Sequence, residues 1–190
     1  MINLPDVLTQ VLAAIGPETE TRMGELIHEF GTIPLSEEDR LSALAGAIAT
    51  IAVTRYRKHR MTFIAALCGW SLEISNAMMP PPLPAGRLRP AGPINEAQDT
   101  LLGGIEAILH LMTDAGTDPH HCLVAELAVI ARLLGQYNAS SIHLVLTAAT
   151  HAIEDTAWHT GCVVPVCLLD ATTLLGRDTN IALVAPRGTA

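Results

Sequence analysis

The sequence predicts an all-α protein, a helical bundle, and three observations carry that prediction. Nearly half of its 190 residues are hydrophobic, yet there are only two each of Trp, Tyr and Phe, so Ala, Leu, Ile and Val must fill the core. Ala and Leu, both strong helix formers, outnumber the β-branched residues. Apolar residues also recur at three- and four-residue spacing through most of the chain. Small side chains contribute little burial each, so dense packing requires the helices to approach closely. The length suits one domain with a sizeable core.

The elements follow in order. Asn3 caps a first helix that Gly16-Pro17 ends. A second, over 21–30, stops at Gly31 and Pro34. Ser36 caps a third, over 37–55, with Glu37, Glu38 and Asp39 placed to complement the helix dipole. Leu41, Leu44, Ile48 and Ile51 form its core stripe, and no charge falls between Arg40 and Arg55. Ser42, Gly46, Thr50 and Thr54 recur every four residues and make a groove for another helix. Self-association through that groove is the expectation here, with another helix of the same chain as the alternative occupant.

Arg55-Tyr56-Arg57-Lys58-His59-Arg60 then forms a basic turn before a fourth helix over 61–78. The apolar stretches on either side run to about 13 to 14 residues each, whereas a membrane span needs roughly 20. They read as core helices joined by a solvated turn, not as a membrane hairpin. The segment 80–93, PPPLPAGRLRPAGP, reads as an exposed, extended linker.

Past the linker, Asn95 caps a helix with Ala97, Leu101, Ile105, Ile108 and Met112 on its core face. Asp118 followed by Pro119 opens a nearly uncharged helix ending near Gly135. Ser140 or Ser141 opens a last one carrying Ile142, Val145, Ala149, Ala152 and Ile153. The chain thus divides into halves, 1–79 and 94–160, that resemble each other in outline. Sliding Tyr56 onto Tyr137 also matches Met61 to Ile142, Phe63 to Leu144, Ile64 to Val145 and Glu73 to Glu154. An extension, 161–190, holds the short β-prone runs at 163–166 and 181–184 and is expected to lie over the bundle.

Charge and cysteine bound the function. The net charge is −8, and 94–160 carries eight acids against Arg132 alone, so that half has no basic face for phosphates. Neither nucleic acid nor membrane is an expected partner. Cys68, Cys122, Cys162 and Cys167 are scattered, and the N-terminus lacks a basic n-region and a long apolar h-region. Reduced thiols in a cytoplasmic protein are the expectation.

Several constellations have chemistry to weigh. His143, Thr147, His151 and Glu154 form one polar stripe on the last helix, and imidazole with carboxylate can bind zinc, iron or manganese. An exposed polar face is the simpler account. Glu25 and His28 make a lone ExxH. Di-metal bundles need two such pairs plus two further glutamates, for which Glu73 and Glu126 are candidates. His159, Cys162 and Cys167, with His120 or His121, are too loosely spaced for a structural zinc site. Glu106 and His110 read as surface support. Glu126, the one acid between Asp118 and Arg132, either pairs with an arginine or emerges at the surface.

GxSxG, GK[ST] and GxGxxG loops are absent. No catalytic or cofactor-binding residue is assigned, no cofactor is expected, and the metal question stays open. The reading is a non-catalytic interaction or assembly protein, expected to be homo-oligomeric. It rests on the apolar surface of the charge-poor runs 41–54 and 119–131. The alternatives are a metal-dependent bundle enzyme or sensor using the His/Glu stripe, and a small-molecule-binding regulator.

Overall fold

The computed structural model describes residues 15–81 and 96–159, with side chains through 154. The first helix expected over 3–16, except its last residues Ile15 and Gly16, the linker 80–93 beyond Pro81, the Asn95 cap and the extension 161–190 therefore lie outside the described residues. Six helices make up the rest: α1 Pro17–Thr32, α2 Glu37–Thr54, α3 Arg60–Met78, α4 Glu96–Asp114, α5 Pro119–Leu134 and α6 Ala139–His159. Among the described residues there is no strand, and the all-α helical bundle stands.

Most helix ends follow local rules. The Ser36 hydroxyl accepts from the Asp39 amide at 3.1 Å, and the Asp118 carboxylate accepts from the His120 amide at 2.8 Å. Two boundaries differ from expectation. The helix expected over 21–30 extends to Pro17–Thr32, because Pro17 at the first position gives up an amide that has no helical partner anyway, and Gly16 takes φ 81 ahead of it. The last helix starts before Ser140: Asn138 Oδ1 accepts from the Ser141 amide at 3.0 Å, so an asparagine supplies the cap. At the far end of α3, Met79 sits in the left-handed region at φ 49, where glycine is more usual.

Pairing crosses between the halves. α2 packs on α6, α3 on α5, and α1 on α4, with further contacts from α2 to α4, α3 to α6, and α1 to α5. Exchanging the halves carries α2–α6 onto α5–α3 and α2–α4 onto α5–α1, and leaves α1–α4 and α3–α6 in place. One continuous core serves both halves, from Met23, Leu26 and Phe30 of α1 to Ile142, Val145 and Ile153 of α6. The register that aligns Tyr56 with Tyr137 holds at Ile64 and Val145, both fully buried. It fails at Phe63, 2 % exposed, against Leu144, 36 % exposed.

The charge-poor runs 41–54 and 119–131 correct the expectation built on them. Leu41, Ala43 to Ala49, Ile51 and Ala52 of α2 are buried within the chain, as are Ala125 to Ala131 of α5. These helices form the bundle's centre, so their apolar surface needs no second copy to hide it. The small-residue groove of α2 is likewise filled from within. A Cβ at Gly46 would meet the side chain of Gln98 on α4, whose amide Nε2 donates to Thr50 Oγ1 at 3.4 Å. Gly46 is therefore an intrachain close approach, and self-association at that point is overturned.

Candidate functional site

The charged group buried most deeply among the described residues is Glu126, fully enclosed in the middle of α5. It lies where α2 ends. The charge-free run of α2 stops at Arg55, whose amide still bonds to the Ile51 carbonyl, and its guanidinium donates to Glu126 Oε1 at 2.6 Å. One residue on, the Tyr56 hydroxyl donates to Glu126 Oε2 at 3.1 Å and approaches the Leu123 carbonyl at 3.4 Å. The Tyr56 ring stacks on Phe63 of α3, centroids 4.2 Å apart, which fixes the ring plane and aims the hydroxyl at α5. Both carboxylate oxygens are thus engaged, and the α2–α3 turn is fastened to α5.

Desolvation dominates the electrostatics. Burial pushes the Glu126 carboxyl above its ordinary value, and Arg55 and the Tyr56 hydroxyl only partly offset it. The Tyr56 hydroxyl is pushed up as well, first by burial and then by the neighbouring carboxylate. A buried ion pair of this kind is weak support for stability and strong support for geometry.

The other end of the α2–α3–α5–α6 group carries the matching tyrosine with different chemistry. The Tyr137 carbonyl accepts from the Ser75 hydroxyl at 2.6 Å. Burial raises the Tyr137 hydroxyl to about 12, opposed by Arg40 at the start of α2.

The residues weighed for metal binding stay apart. His151 Nδ1 lies 3.6 Å from Glu154 Oε2, with His151 largely exposed, and His143 and Thr147 are half-buried along the same helix. Glu25 is ion-paired to Arg22 at 2.8 Å and His28 is exposed. They lie on α1, which packs chiefly on α4 and α5, whereas α6 packs on α2 and α3. Glu73 is half-buried on α3, while Glu106 and His110 are exposed on α4. The side chains of His159, Cys162 and Cys167 lie outside the described residues. Among the described residues no three His, Cys, Asp or Glu side chains lie together as a metal site. Cys68 is a buried free thiol, raised to about 11 by desolvation.

Sequence reasoning singled out Glu126 and the arginine pairing as one of two outcomes, but not which arginine. Tyr56 was missed as a partner. The available signal was an arginine and a tyrosine at the abrupt end of a charge-free run. The 70-residue separation from Glu126 hid the match.

The chain matches no family model, no curated protein and no solved structure. Among the described residues no helix is long and apolar enough to cross a membrane.

Proposed function

We propose that this chain is a non-catalytic interaction protein of the cytoplasm that works through helical surfaces and self-associates along the outer side of α3. The observation that supports this is the mismatch between the composition of α3 and its surroundings. Arg60 and Glu73 are its only charged residues, so it is apolar on nearly every side, as a fully enclosed helix would be. Yet among the described residues a Cβ at Gly69 would meet nothing within 4 Å. Ala65 and Trp70 beside it are only half-buried, and the helix ends in Met78 and Met79, 58 % and 85 % exposed. A second copy would bury what the protomer leaves open.

The test contrasts two glycines. Gly69→Arg has room in the protomer and replaces a poor helix former with a good one, so the melting temperature should hold or rise. Sedimentation equilibrium should nevertheless show the variant as a monomer. Gly46→Leu should do the reverse, costing about 1–3 kcal/mol by collision with Gln98 and leaving the association intact. A monomeric wild type, or a Gly69→Arg protein that associates as before, refutes the reading.

A further inference from the structure

We infer that the α2–α3 turn and the first turn of α5 together form a docking corner for an acidic segment of a partner protein. This goes beyond self-association and rests only on the reading of the chain as an interaction protein. The turn exposes Arg57, Lys58 and His59, and the start of α5 exposes His120 and His121. They belong to one corner because Tyr56 reaches the Leu123 carbonyl and Glu126 across the junction. Leu123, 44 % exposed, adds an apolar seat on the α5 side.

Two carboxylates of this corner are already engaged, Asp118 as the cap of α5 and Glu126 by Arg55 and Tyr56. The corner thus offers cationic and N–H donors in a chain of net charge −8. An approaching acidic segment meets attraction here against the net negative charge of the chain. Apolar side chains of similar size could replace a buried ion pair without loss of stability. Its presence makes physical sense where the position of Arg57 and Lys58 matters. A nucleic acid fits less well: Phe63 already covers one face of the aromatic ring in the turn, and the net charge of −8 opposes a phosphate backbone.

The probe is a short fluorescein-labelled poly-glutamate, titrated with the full-length chain and followed by anisotropy. Saturable, salt-sensitive binding is expected, weakened about tenfold or more by Arg57→Glu with Lys58→Glu. Arg22→Glu with Arg132→Glu makes the same change in net charge on α1 and at the far end of α5, and should leave the affinity unchanged. Glu126→Gln keeps every exposed cation but loosens the seat of the turn, and should weaken binding while the protein stays folded. Three results overturn the inference: no saturable binding, equal losses from the two double reversals, or preference for an oligonucleotide of equal length. None depends on the oligomeric state, so a monomeric wild type that still binds poly-glutamate would sink self-association alone.

Discussion

The two tyrosine corners occupy matching places in the two halves and are fastened by different groups. Tyr56, after α2, is fastened by its hydroxyl to a buried carboxylate that also holds an arginine. Tyr137, after α5, is fastened through its backbone carbonyl to the neutral hydroxyl of Ser75, while its own hydroxyl lies by Arg40 without a buried carboxylate. The contrast separates two jobs that a turn contact can do. A neutral hydrogen bond removes an orphan polar group at little desolvation cost. A pair with an enclosed carboxylate carries a desolvation cost that its attraction offsets in part, and it holds the turn against α5. The charged corner is therefore the one to examine for function, and the neutral one is the internal standard for ordinary stability.

The largest expected effect breaks the charged corner from one side. Arg55→Ala leaves Glu126 enclosed without its cation and should cost about 3–5 kcal/mol, read from urea denaturation at neutral pH. A loss below about 1 kcal/mol would mean that Glu126 reaches water and that the corner resembles a surface pair.

Next comes the direct comparison of the two hydroxyls. Tyr56→Phe removes a donor to a carboxylate and should cost about 1.5–3 kcal/mol, whereas Ser75→Ala removes a neutral donor and should cost about 1 kcal/mol. Equal losses would erase the distinction between the corners. A larger loss at Ser75 would invert it.

The smallest effect concerns pH. Burial raises the folded-state value of Glu126 above the 4.5 of a free carboxyl. Its contribution to stability is then fully present below that value and declines as pH rises through the folded-state value. Glu126→Gln abolishes the titration, so the variant should fare better relative to wild type at pH 7 than at pH 4. Paired denaturation curves at the two pH values check the sign. The opposite trend would show Arg55 and Tyr56 outweighing desolvation.

Much of the bundle was legible without coordinates. Ser36 and Asp118 act on amides two or three residues away, so a cap is written in a few adjacent positions. The apolar stripes of α2 and α4 face inward because periodicity and helix geometry are the same fact. The candidate site was legible only in part. An acid alone in an apolar helix advertises that something must answer its charge, and Glu126 was noticed for that reason. The answer sits in another helix, and no local pattern encodes which.

The same limit explains Gly46. A line of small residues specifies that something comes close, and from sequence a second copy and a neighbouring helix are indistinguishable. Gln98 was the occupant, and only the folding of α4 over α2 decided it. By itself the sequence determined helix type, most boundaries and which faces are apolar, since these depend on propensity, capping and periodicity within one or two turns. Tertiary structure alone decided that the apolar surfaces of charge-poor α2 and α5 are covered from within the chain, that α3 keeps an open side at Gly69 among the described residues, and that Arg55 and Tyr56 answer Glu126. Burial and ion pairing depend on which helices meet, and that is a property of the whole packed chain.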